Sequence, residues 1–269
     1  MKQFLCLGVG MCMGVGIGTS KASATVFASS VVANQSSGFV SPWTNPQAAL
    51  GAPSLLNGVG TDFQSVLSPF NPNYEAKDLV EIAPGGQLTL QFPNFVTVGG
   101  GNEVGVISSI FMVDSNYPSG LNSTPAQASS SRSAEVLVSD NGTTWHSIGT
   151  HVFDHPANGF TDAASPYQAT AGTSPADFGI PFTHSTSDFD GKTWAQTLAL
   201  FGNSGGGSWL DLSSSGLTQI DYIQFRTTSD ALAIDAVSIN NADVGAAVPE
   251  PASLAGVLLA GTMLVRRRR

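Results

Sequence analysis

Hydrophobic and polar residues alternate with a period of two over residues 87–92, with Leu88, Leu90 and Phe92 on one side and Gln87, Thr89 and Gln91 on the other. Successive side chains of a strand point to opposite faces, so the pattern predicts a half-buried β-strand. Ala83-Pro84-Gly85-Gly86 stands before it as a turn, and residues 79–82 read as an earlier strand, which predicts a hairpin. Residues 133–139 alternate again, with Ala134, Val136 and Val138 inward. Asp140-Asn141-Gly142 then supplies residues that tolerate the left-handed backbone of a hairpin loop. Residues 143–148 come next as the return strand, with Trp145 as its expected core anchor. Residues 106–113, 220–226 and 231–239 read as further strands. Only residues 193–201 carry a helical spacing, with Trp194, Leu198 and Phe201 at i, i+4 and i+7. Many short strands, one short helix and turns rich in Gly, Pro, Asn and Ser predict an all-β, antiparallel β-sandwich. Residues 115–131 and 157–187 are polar and poor in pattern, and are expected to be loops at the sandwich ends, where binding residues tend to sit.

The two ends of the chain obey other rules. Lys2, the apolar, glycine-containing stretch 4–17 and the small-residue site Ala22-Ser23-Ala24 have the layout of a secretory signal peptide cut before Thr25, the work of a signal peptidase. At the far end stand Val248-Pro249-Glu250-Pro251, an apolar run at 252–265 and four arginines, Arg266, Arg267, Arg268 and Arg269. The prolines hold the approach extended, and the run behind them is rich in helix formers. As a helix it would rise about 21 Å at ~1.5 Å per residue, short of the ~30 Å hydrocarbon core. Snorkelling arginines make up the span and stay on the cytoplasmic side, which suits transient membrane insertion of a transmembrane helix that is later processed. The expected organisation is therefore residues 1–24 as signal peptide, 25–243 as one β-sandwich domain and 244–269 as linker and tail.

Charge and cysteine content narrow the partners. Eighteen of the 19 acidic residues, all but Glu250, fall between Thr25 and Ala247, against four of the 10 basic ones, Lys77, Arg132, Lys192 and Arg226, a balance of 4 − 18 = −14. Nucleic acid and anionic lipid both need basic patches and are not expected as partners. Cations, neutral glycans and basic proteins are favoured. Cys6 and Cys12 both lie within the signal peptide, so the mature chain is expected to fold without disulfides or thiolate-bound metal.

The order Pro-Glu-Pro, short apolar helix, arginine cluster closely resembles the PEP-CTERM sorting signal of Gram-negative bacteria. That resemblance implies an exosortase, a membrane-embedded cysteine peptidase, as processing partner, and a final place in the cell envelope, on the outer surface or in the extracellular matrix. Within the body, Ala48-Ala49-Leu50-Gly51-Ala52-Pro53 is similar to the start of discoidin-like, galactose-binding-like jelly rolls. The likeness extends through Ser68-Pro69-Phe70-Asn71-Pro72-Asn73-Tyr74 running into 79–92, the Val138–Trp145 hairpin, Phe189-Asp190-Gly191-Lys192-Thr193-Trp194, Gly205-Gly206-Gly207 before Leu210-Asp211-Leu212, and Ile234-Asp235-Ala236-Val237. It implies a jelly-roll sandwich in an exported protein. A fold alone assigns no ligand.

Several short patterns carry chemistry. Gly202-Asn203-Ser204-Gly205-Gly206 matches the G-x-S-x-G of serine hydrolases, but it comes after the expected helix, and the last histidine is His184, upstream of the serine; a flexible loop is the preferred reading. His146, His151 and His155, with Asp154, form the one histidine cluster, yet Pro156 and strand-like neighbours deny them the helix that would aim i and i+4 ligands together. Asp188-Phe189-Asp190-Gly191 is a fragment of a calcium loop, and the same residues serve equally as a turn, or Asp190 as the cap of the 193–201 helix. Asp235 shares a strand face with Val237 and Ile239, opposite Leu232, Ile234 and Ala236, so it is carried into apolar surroundings and needs a partner. Calcium, Arg226 or backbone N–H groups would each serve, and the galactose-binding-like resemblance implies a structural calcium. Trp43, Tyr74, Tyr117, Tyr167 and Trp209 lie in or beside expected loops, where aromatic rings either anchor loops or offer a glycan platform. No paired carboxylates and no nucleophile–base set stand out, so the expected work is non-catalytic: adhesion or extracellular polysaccharide binding. A structural matrix protein without a small ligand and a carbohydrate-active hydrolase are the alternatives.

Overall fold

The alternating segments do form strands, and every pairing between named strands is antiparallel. The computed structural model describes residues 24–61, 64–170 and 172–248. Along the chain come β1 (Ser30–Val31), β2 (Ser37–Phe39), β3 (Leu56–Asn57), β4 (Ser65–Val66), the long β5 (Val80–Thr97), β6 (Val104–Ser108), β7 (Arg132–Ser139) and β8 (His146–Phe153). The helix α1 (Trp194–Phe201) is next, then β9 (Ser208–Leu210), β10 (Gln219–Arg226), β11 (Leu232–Ile239) and β12 (Val244–Ala247). The main sheet runs β8-β7-β10-β5-β11-β6-β9, with β1, β2 and β12 also on β5, while β3 and β4 form a separate ribbon. The protein is thus mostly β, antiparallel, with one α-helix among the described residues.

The hairpin expected over residues 79–92 is instead one bent strand. Residues 80–82 of β5 pair with β11, whereas residues 87–91, and 96–97 beyond them, pair with β10. Pro84 and Gly85 kink the chain between two parts of the sheet without reversing it, Gly85 at a φ of 78°. Gly86 lies against β2 so closely that a Cβ there would stand 2.3 Å from the Gly38 carbonyl oxygen. The turn signal locates the break correctly and mistakes its sense, because the pairing partners come from distant strands.

Leu88, Leu90 and Phe92 of β5 are buried in one core with Val136 and Val138 of β7, Ile223 and Phe225 of β10, and Val104 and Val106 of β6. Phe153 and Phe225 meet edge to face at 6.0 Å. Thr89, expected on the outer face, is buried as well, because the N-terminal segment covers it: its hydroxyl donates to the Gln35 carbonyl at 2.7 Å.

Two ladders break at aspartates. On β11, Ile234 stands opposite Ser108 of β6 and Ala236 opposite Ile107, so two steps on β11 match one on β6 and Asp235 occupies a bulge. A bulge reverses the inward–outward parity of the residues beyond it. Leu232 and Ile234 before it and Val237 and Ile239 after it consequently all enter the same core, in place of the opposite faces expected from simple alternation. On β10, Ile220 stands opposite Val96 and Tyr222 opposite Gln91, so two steps on β10 match five on β5 and Asp221 sits at the irregularity. Pro93, which has no N–H to offer a ladder, lies within the β5 segment that loops out.

A second core occupies the stretches expected as plain loops. Phe160 and Phe182 join Phe70, Phe189, Trp194 and Phe201 in a buried cluster, with Phe182 and Phe201 stacked at 4.5 Å. Trp145, expected as a core anchor, is half-exposed and lies edge-on to Tyr222 at 6.5 Å. The β7–β8 hairpin forms as expected, with Gly142 at a φ of 72° and Asn141 Oδ1 accepting the Thr143 and Thr144 N–H groups. Helix α1 is opened by Thr193, whose N–H donates to Gln196 Oε1 at 3.0 Å, a capping box. Residues 244–247, expected as the start of a linker, pair with β5 as β12, and the Val248 N–H donates to the Pro93 carbonyl at 2.8 Å.

Candidate functional site

A cavity of about 200 Å³ opens where the first part of β5, the start of β11, the end of β6 and the start of β7 converge. Trp43 and Tyr74 supply its aromatic lining, and Glu81, Ser109, Ser130 and Arg132 its polar one. The aromatic wall is held from behind. Trp43 donates its indole N–H to the Tyr74 carbonyl at 2.8 Å, and the Glu81 N–H donates to the Trp43 carbonyl at 2.9 Å. The Trp43 indole is therefore tied to the Tyr74 backbone and the Trp43 backbone to β5, while Tyr74 stays 42% exposed.

Asp235 anchors the same corner. It is 4% exposed, and its Oδ2 accepts from Asn73 Nδ2 at 2.5 Å, while that amide also donates to the Ser54 carbonyl at 2.8 Å. Ser109 donates to the Asn73 carbonyl at 2.7 Å. Asn73 precedes Tyr74, so the buried carboxylate fixes the residue beside the pocket's aromatic. Burial raises the Asp235 carboxyl well above its ordinary range; the Asn73 hydrogen bond opposes this and the Asp78 charge adds to it. Of the partners expected from sequence, neither Arg226 nor a backbone N–H fills the role, and an amide side chain does so instead.

The donors around Asp235 suit a hard cation in type. Asn73 Oδ1 is buried without a partner, and the Asp78 carboxylate acts on Asp235. Calcium takes six to eight oxygens, roughly, and accepts carboxylate and amide oxygens alike. No group of three or more His, Cys, Asp and Glu residues stands together among the described residues, so any such site would draw mainly on amide, carbonyl and water oxygens.

Asp188 and Asp190 are each engaged by their own loops. Asp188 Oδ2 accepts from the Ser185 N–H at 2.8 Å and lies 3.4 Å from His184 Nδ1, and the hydrogen bonds from Ser185 are the main cause that lowers its pKa. Asp190 Oδ1 accepts the Ala126 N–H at 2.6 Å and does not cap α1. Among the histidines, His155 Nδ1 faces Asp154 at 2.8 Å while its Nε2 meets the His184 carbonyl at 2.9 Å, and His151 Nε2 meets the Ile148 carbonyl at 3.2 Å. Ser204 of the G-x-S-x-G segment is buried and donates to the Ile180 carbonyl at 2.7 Å. Its neighbours are tightly packed, a Cβ on Gly205 falling 2.4 Å from the Phe178 ring, which corrects the expectation of a flexible loop.

The remaining aromatics separate. Tyr117, 73% exposed, leans on Tyr167 at 4.9 Å, and burial, with Asp114 adding to it, raises the Tyr167 phenol. Trp209 lines a second, more open cleft with His155, Phe182 and His184. Ala24 of the expected cleavage site is exposed, and Val248, the first residue of the expected sorting motif, follows directly on β12. Ala22, Pro249, Glu250, Pro251 and the arginines 266–269 lie outside the described residues. Sequence reasoning missed Glu81 and Arg132; the one hint was that Arg132 is among only four basic residues of an acidic body.

No family model matches the chain, and no curated protein or solved structure matches it.

Proposed function

We propose that this is an exported protein of the bacterial envelope or extracellular matrix that binds extracellular polysaccharide without transforming it. The observation that carries the reading is the cavity in which Trp43, its indole held by the Tyr74 carbonyl, and the Tyr74 side chain stand beside serine hydroxyls and two charged side chains. A sugar ring has an apolar C–H face and an equatorial rim of hydroxyls, and a site with an aromatic wall and a polar rim meets both. A ring held in place, as the Trp43 indole is, also loses little conformational freedom on binding. Glu81 is the one carboxylate among the lining residues. Glycoside hydrolysis ordinarily uses two across the scissile bond, so the lining favours holding a sugar over cleaving it. The antiparallel sheet bent around β5 supports a jelly-roll sandwich of the galactose-binding-like kind.

Delivery rests on the two ends of the sequence: signal peptidase at Ala24, then exosortase at the Pro-Glu-Pro motif. Calcium is proposed at Asp235 as a structural ion, supported by the orphaned Asn73 oxygen, and not at Asp188 or Asp190, whose carboxylates are committed to Ser185 and Ala126. A glycan array on the protein, repeated with Trp43→Ala and Tyr74→Ala, tests the binding reading. Retention of a polysaccharide class by the parent and its loss in both variants are expected; an array with no bound glycan overturns it.

A further inference from the structure

Arg132 and Glu81 line the same small cavity, yet no ion pair joins them, and neither side chain has a hydrogen-bond or ionic partner among the described residues. This is unusual economy in a body with eighteen carboxylates and four cations. Lys77, by contrast, reaches two acids, Glu75 and Asp78. A guanidinium carries five N–H donors in a rigid fork that matches a carboxylate with two parallel bonds. Left unmatched by the fold, that fork is available to a ligand. The Glu81 carboxylate offers acceptors.

From this we infer that the cavity recognises one uronic acid residue of an acidic polysaccharide. The inference rests on the polysaccharide-binding reading and names its ligand class. The sugar's carboxylate takes the Arg132 fork, its hydroxyls donate to Glu81, and its C–H face lies on the wall of Trp43 and Tyr74. A volume of about 200 Å³ accommodates a single ring in place of a long stretch of chain. The opposite signs of Arg132 and Glu81 set the ring's direction, because reversing it would put carboxylate against carboxylate.

The acidity of the rest of the body works against a polyanion at long range, but not decisively. At physiological salt the screening length is about 8 Å, so distant carboxylates act weakly, whereas a contact pair in a partly enclosed cavity is screened much less. Hydrogen bonds between charged groups are roughly twice as strong as neutral ones, which sets the expected preference for a uronate over its neutral counterpart at about tenfold.

The experiment pairs each acidic oligosaccharide with itself after its carboxyls have been reduced to hydroxymethyl groups. Oligomers of galacturonate, glucuronate and mannuronate, acidic and reduced, are titrated calorimetrically into the protein at 0.15 M NaCl, on the order of physiological ionic strength. At least one acidic form should bind about ten times more tightly than its reduced form. Arg132→Gln should bring that ratio close to one, and Arg132→Lys, which keeps the charge but loses the fork, should fall between. Equal binding of acidic and reduced forms, or a preference that survives Arg132→Gln, overturns the uronate inference and leaves polysaccharide binding standing. Binding of no oligosaccharide here, together with an empty glycan array, overturns both.

Discussion

Asp221 should make the protein less stable as pH rises, and replacing it should remove that dependence. Its side chain sits at the irregularity of β10, is 6% exposed, and has no hydrogen-bond partner for Oδ1. Burial first, and the Asp140 charge second, push its carboxyl up to about 6. In the unfolded chain the same group titrates near ~4. Between those values the unfolded chain releases the proton and the folded chain keeps it, so the folded state binds more protons and its stability falls as pH increases. Stability linked to this group is therefore intact below about pH 4, declines through the window to about pH 6, and is level above it. A shift of about two units caps the loss at about 3 kcal/mol; screening by nearby solvent reduces the expectation to about 1–2 kcal/mol at pH 7. Asp221→Asn cannot ionise. Urea unfolding of parent and variant from pH 4 to pH 8 isolates the effect, because other titrating groups cancel in the difference and a new amide contributes only a pH-independent offset. The variant should gain about 1–2 kcal/mol on the parent between the two ends of that range. A difference that stays constant across the range refutes the reasoning.

If calcium occupies the Asp235 corner, chelation should lower the melting temperature of the parent by mass action, and Asp235→Asn should blunt that response. Calorimetry with and without chelator decides: an unchanged parent removes calcium from Asp235, and equal shifts in both place it elsewhere. For the tail, mass spectrometry of the surface protein should find the chain cut near Pro249-Glu250-Pro251, and an intact Arg269 on mature protein removes the exosortase reading.

Local alternation was legible where the strand itself carries no extra residue, as in β7, whose register shift against β8 falls on the β8 side. Ala134, Val136 and Val138 point inward as their period requires, and the Asp140-Asn141-Gly142 loop turns as its residues dictate. It failed where a distant partner sets the geometry. Nothing in residues 79–92 says that the first half pairs with β11 and the second with β10, so a kink and a reversal look alike from inside the segment. The bulge at Asp235 is equally silent, since the missing step belongs to β6. The burial of Phe160 and Phe182 against Phe201 lay hidden for another reason: in the irregular backbone that carries those two there is no period for a hydrophobic pattern to obey.

The candidate site shows both limits at once. Asp235 was found because a carboxylate in an apolar strand must be satisfied, an argument that needs no knowledge of the partner. Its partner, Asn73, lies 162 residues away in the chain. The cavity draws Trp43, Tyr74, Glu81, Ser109 and Arg132 from separate segments, and each residue alone has an ordinary structural explanation. Their meaning changes through connection. Asp235 holds Asn73, Tyr74 is the next residue after Asn73, and the Tyr74 carbonyl holds Trp43, so a buried acid with no access to ligand helps to position the Tyr74 backbone and, through it, the Trp43 indole that would meet one. Asp235 is on this account a positioning residue, and loss of its hydrogen bond should loosen the aromatic wall before it loosens the sheet, whose core residues Ile234 and Val237 pack on without it.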